Sequence, residues 1–447
     1  MNVKKLLPLL LILLVMSLVA GCAAPAAAPA APAAGEAAAG EAAASDEPVT
    51  LTYLVDDSSQ SVASAEALVA AYTALHPNVT INVETRPQGG DGDNFVKTRL
   101  ATGEMADVFA YNSGSLLQAL QPASTLVDIT NEPYIANIAE SFLPTVSQDG
   151  KIYGVPAGTA MGGGILYNKK VYEELGLSVP KTWAEFQANN EKIAAAGIAP
   201  VIATFGDTWT SQLFVLADFY NLQLELPTFA ADYTANQAKY ATTPGALRGF
   251  QYMQEGFDKG WWSQDFATTK YEQGLKLLAD GTGAHFPMLS FALSTLAANW
   301  PEQAQDIGFF GIPGSDPETA GATIWMPGGV YIPQTTENLE AAKGFQAFIA
   351  SVPGTDALTA AVAPTGPYVI KGATLPDDVL PAVKDIAGYI DSGLNAPALE
   401  FLSPVKGPAL EQLTVAVGTG QMTAEEAAAA YDVDVEKQAQ QLGLEGW

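Results

Sequence analysis

Over residues 49–111 the hydrophobic pattern changes period again and again, and this alternation confines the chain to one broad class of fold. The stretch "VTLTYLV" (49–55) alternates β-forming residues and predicts a strand. Val62, Val69, Tyr72 and Leu75 then recur near helical spacing over 61–76, and "HPN" ends that helix. "VTINVE" (79–84) alternates again, 95–102 predicts a short helix stopped by Gly103, and "DVFAY" (107–111) predicts a third strand. Parallel neighbours cannot be joined by a tight turn, so this order requires crossover connections. It predicts a mostly parallel sheet with helices on its faces.

Further along, helix boundaries are written in the sequence. Thr182, Trp183, Ala184 and Glu185 have the form of a capping box, with Gly197 closing the helix. Thr243 precedes Pro244 as N-cap and first helical residue; Leu247, Phe250 and Phe257 share one face, and Gly260 ends the segment. A second capping box, Thr423 to Glu426, opens a helix that stops near Gly443. "APVIAT" (199–204) and "DIGFFGIP" (306–313) read as strands, so the whole is α/β. The roughly 400 residues after position 47 exceed what one core accommodates and suit two domains.

The N-terminus sets the compartment. Lys4 and Lys5 precede an apolar run, 6–20, interrupted only by Ser17. A membrane span needs about 20 apolar residues, whereas this length fits the core of a secretory signal. "VAGC" resembles a bacterial lipobox, which implies cleavage after Gly21 and lipidation of Cys22, the only cysteine. The alternative is a plain signal peptide with an incidental cysteine. Residues 1–21 are thus expected to be a signal peptide and 22–47, rich in Ala and Pro, a flexible tether. No second thiol exists for a disulfide or a thiolate metal site. The net charge of −28 opposes binding to nucleic acid, which requires Lys and Arg to neutralise phosphates, and opposes adsorption to anionic lipid.

Four stretches carry a resemblance: "FVKTRLATGEMADVFAYNSG", "IYGVPAGTAMGGGILYNKKVYEELGLSVPKTWAEF", "GLKLLADGTGAHFPM" and "MPGGVYIPQTTENLEAAKGFQAFIAS". In this order the chain resembles family 1 extracellular solute-binding proteins, the sugar-binding components of ABC importers. The third stretch departs from the family's usual wording at Ala284–Met288, with His, Phe and Pro between. The resemblance implies a two-lobed, type II periplasmic-binding-protein-like fold with a hinge and an interlobe cleft. It puts lobe one at 48–160 plus 313–366 and lobe two at 161–312 plus 367–447. It further implies a monomer, anchored by lipid to the bacterial cell membrane, that captures a carbohydrate and delivers it to a membrane permease. Glycines and prolines stand at the expected crossings: Gly158, Gly162 to Gly164, Pro313 with Gly314, and Pro364 with Gly366.

Enzymatic signatures are weak. The sequence shows no nucleophile elbow, no phosphate-binding loop and no zinc-type histidine spacing. "DGDN" (91–94) begins like a calcium loop, but the twelfth position is Thr102 where a bidentate Glu is needed; a polar turn is expected there instead. His76 reads as structural. No metal and no cofactor is expected. A secreted glycoside hydrolase is the alternative class, and a polyol or glycerophosphodiester the alternative solute.

A sugar presents apolar C–H faces and a rim of hydroxyls, so its site needs aromatic platforms and hydrogen-bonding side chains. Seven Trp and sixteen Tyr supply platforms in quantity. Ligands of α/β sheets bind beyond the carboxyl ends of strands, which selects Asp57 and Ser58 after the first strand and Tyr111 and Asn112 after the third. Trp209, at an apparent helix start, and Gln212, one turn on, are candidates in lobe two. Met288, Ser290 and Phe291 lie where the family has a cleft-lining loop. Trp325 precedes Gly328 and Gly329, which would let backbone approach a ligand. On the expected boundaries Trp209 and Trp325 face each other from different lobes. Trp183, Trp261 and Trp262 read as packing. Arg86, Arg99 and Arg248, the only arginines, fall in strand-end and helix contexts, which favours a neutral ligand.

Overall fold

A computed structural model describes residues 47–447. The signal peptide, Cys22 and most of the tether lie outside the described residues. The strands are β1 (Val49–Asp56), β2 (Val79–Arg86), β3 (Val108–Tyr111), a hairpin of β4 (Ser147–Gln148) and β5 (Lys151–Ile152), β6 (Gly154–Pro156), β7 (Met161–Asn168), β8 (Ala199–Val201), β9 (Gly283–Leu289), β10 (Ile307–Phe310), β11 (Ala322–Trp325), β12 (Gly329–Tyr331) and β13 (Asn395–Pro397). They form two main sheets. The first has the order β2-β1-β3-β12-β6, the second β13-β11-β7-β9-β8 with β10 also paired to β7.

Both sheets are mixed. β1 runs parallel to β2 and β3, as the alternation over 49–111 requires, but β12 joins antiparallel to β3 and to β6. In the second sheet β7 is antiparallel to β9, β10 and β11, while β8 with β9 and β11 with β13 are parallel. The expectation of a mostly parallel sheet holds only for the part built by crossover helices. β7 and β12, which each arrive from the other sheet, run against their neighbours, whereas β13 arrives from the first sheet and runs parallel to β11.

The chain passes from the first sheet to the second between β6 and β7. It returns between β11 and β12, not near 313. β11 pairs with β7 and β13, so Trp325 belongs to the second sheet, on the same side of the cleft as Trp209. Gly314 is held in a bridge to Thr182 instead. Gly162 to Gly164 are not bends; they lie within β7, where side chains pack onto the strand. A Cβ at Gly163 would stand 2.1 Å from Trp325 Cζ3, and one at Gly162 2.7 Å from Phe309 Cζ.

Helix α1 (Ser59–Leu75) packs on β1 and β2. Helix α2 (Gly89–Thr102) starts six residues before the expected Phe95, so the "DGDN" stretch is helical rather than a turn. Asp91 in the first turn suits the positive helix end, and Gly92 is required because a Cβ there would lie 2.0 Å from the Pro87 carbonyl oxygen. Gly103 ends the helix in the left-handed region, at φ 75°. Both expected capping boxes form, at Thr182 with Glu185 and at Thr423 with Glu426. Thr243 is the N-cap of Pro244–Asp258 but makes no side-chain capping bond. On that helix Phe250 is fully buried, while Phe257 is partly exposed and lies over Gly420.

Trp183 stacks on Tyr252 at 3.4 Å and donates to Glu255, Trp261 is buried, and Trp262 donates to the Gly418 carbonyl. These three pack, as expected. His76 caps α1 and stacks beside Tyr72. His285 is fully buried, shares a 2.7 Å hydrogen bond with the Tyr172 hydroxyl, and is pushed by burial down to about 3, so it is neutral.

Candidate ligand-binding cleft

Between the two sheets lies a cavity of about 740 Å³, within the range of small-molecule sites, about 300–1,000 Å³. It opens beyond the carboxyl ends of β1, β2 and β3. From that side it is lined by Ser58 at the N-cap of α1, Arg86 at the end of β2, Asp93 in α2, and Tyr111 and Asn112 at the end of β3. The opposite wall brings Trp209 and Gln212 from the single 3-10 turn Thr208–Gln212, Tyr271 at the start of Tyr271–Asp280, Phe291 after β9, Trp325 at the end of β11, and Glu411 from Leu410–Gly418.

Eight of the twelve expected residues therefore line this cavity, from one side or the other: Ser58, Tyr111, Asn112, Trp209, Gln212, Phe291, Trp325 and Gly328. Four do not. Asp57 is exposed and accepts from Gln88 Nε2 at 3.2 Å; strand alternation gives the wall to Asp56, which accepts from Ser58 N–H at 3.0 Å and the Ser61 hydroxyl at 2.6 Å. Met288 is fully buried, because in β9 it alternates with Leu289, which does line the cavity. Ser290 is buried as a clasp, donating to the Thr365 carbonyl at 2.7 Å and accepting from Gly162 N–H at 3.1 Å. Gly329 is tucked under the Tyr331 ring, 2.3 Å from where its Cβ would be.

The wall also holds residues that sequence reasoning passed over: Arg86, Asp93, Lys97, Tyr271, Glu400, Lys406 and Glu411. Arg86 ends β2, and strand ends are where this cleft opens. Nothing in the pattern around 400–411 marked it as a wall.

Three aromatic rings form one platform. Trp209 lies 5.2 Å from Tyr271 and 5.9 Å from Phe291, and Tyr271 and Phe291 are 5.8 Å apart. Trp325 is 5 % exposed; its ring covers Gly163 and its indole N–H donates to Glu400, which also pairs with Lys406 at 3.7 Å. Across the cavity the Arg86 guanidinium sits 5.6 Å from the centre of the Tyr111 ring and donates through Nη1 to the Pro87 carbonyl, leaving Nε buried without a partner.

Burial sets the protonation behaviour of the wall. Asp93 is pushed up by burial, against the pull of Tyr111, Lys97, Arg86 and Lys406. Glu411 is likewise raised by burial and then by the Asp93 charge, opposed by Thr208, Gln412 and Lys406. The Tyr111 phenol is driven well above its ordinary range by burial and by Asp93. Three cationic and four anionic side chains line the cavity, Arg86, Lys97 and Lys406 against Asp56, Asp93, Glu400 and Glu411. On a chain of −28 this near-balance is local, and it suits a neutral solute with many hydrogen-bonding groups. Among the described residues no His, Cys, Asp and Glu group could hold a metal ion, and no helix is long and apolar enough to cross a membrane.

The two walls meet at glycines. A Cβ on Gly89 would lie 3.5 Å from Trp209 Cδ1, one on Gly90 3.3 Å from Glu411 Oε1, and one on Gly114 2.5 Å from the Glu400 carbonyl oxygen.

Two α/β bodies linked by repeated crossings, with a cavity between them, define a two-lobed solute receptor. The bacterial extracellular solute-binding protein family matches residues 56–356, and the chain belongs to that family. It is 24% identical over 279 residues to a multiple sugar-binding protein of Streptococcus mutans, a match covering 61% of this chain and 64% of that one. It is 27% identical over 169 residues to an ABC transporter extracellular-binding protein of Pyrococcus horikoshii, 36% of this chain and 39% of the relative. The chain thus spans under two thirds of the length of these relatives. Among solved structures it is similar to a chitin oligosaccharide binding protein (TM-score 0.76, 23% identity, 88% of this chain and 99% of the other). It is similar also to RafE in complex with raffinose (TM-score 0.72, 22% identity, 88% and 99%). At these identities the structures establish the fold.

Proposed function

We propose that the protein captures a neutral carbohydrate, a mono- or oligosaccharide, by closing its two bodies around it, and delivers it to an ABC transporter permease. One observation carries this reading. The platform of Trp209, Tyr271 and Phe291 faces a wall of hydrogen-bonding side chains across a single cavity, which is what a sugar's apolar faces and hydroxyl rim require. The names of the relatives point the same way, to multiple sugars, chitin oligosaccharide and raffinose. Contacts to both bodies make ligand stabilise the closed form over the open one, and without that difference binding could shift nothing. The protein acts as a receptor rather than an enzyme, as a monomer held to the outer face of the cell membrane by lipid on Cys22.

A thermal-shift screen over a panel of neutral sugars tests the receptor reading, since a solute that binds only folded protein raises the melting temperature. A shift with one sugar and no product after hours supports it; steady turnover of a glycoside overturns it in favour of a hydrolase. Palmitate labelling that marks the wild type and spares Cys22→Ala supports the anchor, and equal labelling of both rejects it.

A further inference from the structure

Hydrogen-bonding groups are not spread evenly around the cavity. Six aliphatic side chains line it together: Leu116, Met161, Leu213, Leu216, Leu289 and Met326. For three of them the placement follows from the strand register. Met161 sits opposite Trp325, Leu289 opposite Gly163, and Met326 directly follows Trp325 at the crossing to the first sheet. The helix Leu213–Ala217 packs against β7 and β9 and adds Leu213 and Leu216 to the same floor. Leu116 comes from the short helix after β3, on the other body.

Leu116, Met161, Leu216, Leu289 and Met326 are only half-buried, so they keep apolar surface uncovered. Of the seven charged side chains, Asp93, Lys97 and Glu411 gather where α2 meets the helix Leu410–Gly418, with Gly90 against Glu411, and Arg86 lies over Tyr111; Glu400, tied to Lys406, is engaged by the Trp325 indole at the edge of the aliphatic group. An all-hydroxyl sugar filling this cavity would press some hydroxyls onto carbon that offers no donor or acceptor. A hydroxyl stripped of water without a replacement partner weakens binding, whereas an apolar group placed there strengthens it. Aromatic rings serve the flat faces of a pyranose, but an aliphatic floor does not serve its rim.

Resting on the carbohydrate reading above, we infer that the natural solute is a sugar bearing an apolar substituent, which seats on this aliphatic floor while its hydroxyls meet the α2 side. Acyl, methyl and aryl groups share that chemistry, and the test separates them.

Calorimetric titration of the purified protein would compare cellobiose with three partners of the same linkage: N,N′-diacetylchitobiose, methyl β-cellobioside and 4-nitrophenyl β-cellobioside. At least one substituted sugar is expected to bind ten times or more tighter than cellobiose. In Leu216→Asn and in Met326→Gln that preference should fall below threefold; the second lies in a loop and guards against misfolding of the first. Cellobiose binding as tightly as every substituted partner overturns the inference, as does a preference unchanged in both variants. Binding of some other unsubstituted sugar in the thermal-shift panel, with none of the substituted ones bound, also overturns it while leaving the carbohydrate reading intact. If no sugar of either kind binds, the carbohydrate reading fails and the inference fails with it.

Discussion

Truncating the two tryptophans of the cleft should separate folding from binding. Trp325→Ala removes an indole that is 5 % exposed and lies flat over Gly163. Burying a large aromatic makes its loss expensive, about 3–5 kcal/mol for Trp or Phe to Ala. Here the void adjoins the cavity and water can fill it, which favours the lower end, about 3 kcal/mol. Glu400 loses its indole donor but retains Lys406. Trp209 is half-buried, and its ring neighbours are Tyr271 and Phe291. Such ring pairs contribute about 0.5–1.5 kcal/mol each beyond area burial, so Trp209→Ala should cost roughly 1–2 kcal/mol of stability. Its binding loss should be larger, about 2 kcal/mol or more, some 30-fold in affinity, on the scale of aromatic anchors. Urea unfolding of the ligand-free protein, followed by far-ultraviolet circular dichroism, gives the stability terms. Titration with the sugar found in the thermal-shift panel gives the other. The reasoning is refuted if Trp209→Ala is destabilised as much as Trp325→Ala while its folded fraction binds with unchanged affinity.

Three further outcomes follow from the same contacts. Gly163→Val should lower the urea midpoint, because any Cβ there meets Trp325 at 2.1 Å and a branched one displaces the ring toward the cleft; a midpoint equal to wild type contradicts this. Asp218 is buried against Arg248 at 2.8 Å, and burial raises its carboxyl to about 6. A raised folded pKa means the native state holds the extra proton, so this group makes stability fall as pH rises from about 4 to about 6 and flat above. Asp218→Asn should remove that slope from urea titrations across the window, and a slope of unchanged size counts against the assignment. Asp93 and Glu411 come from opposite bodies, and burial raises both carboxyls from their ordinary values. A sugar that covers them buries both further, which raises both again and takes up protons, so affinity should rise as pH falls; Glu411→Gln should flatten the profile, and an identical profile in the variant rejects the linkage.

Much of the scaffold was legible because local chemistry fixed it. The alternation over 49–111 gave β1, α1, β2 and β3, and the capping boxes at Thr182 and Thr423 gave two helix starts. What local pattern could not give was partnership between distant strands. β11 and β12 are three residues apart and both β-rich, yet they pair with different sheets, and only that pairing moves Trp325 across the cleft. The choice between Asp56 and Asp57 turned on a one-residue register that flips a side chain to the other face. Gly162 to Gly164 carried a bending signal in sequence and a packing role in space. Arg86 was visible at its strand end, but its burial beside Tyr111 depends on α2 beginning at Gly89.

The central claim is that one solute bridges both bodies. Hydrogen–deuterium exchange with and without the bound sugar tests it most directly. The account predicts that saturating sugar protects residues 88–97 of the first body and 208–216 of the second in the same titration, with the same midpoint, and leaves the distant helix Val352–Ala361 unchanged. Protection confined to one of the two segments, or found only away from both, contradicts it.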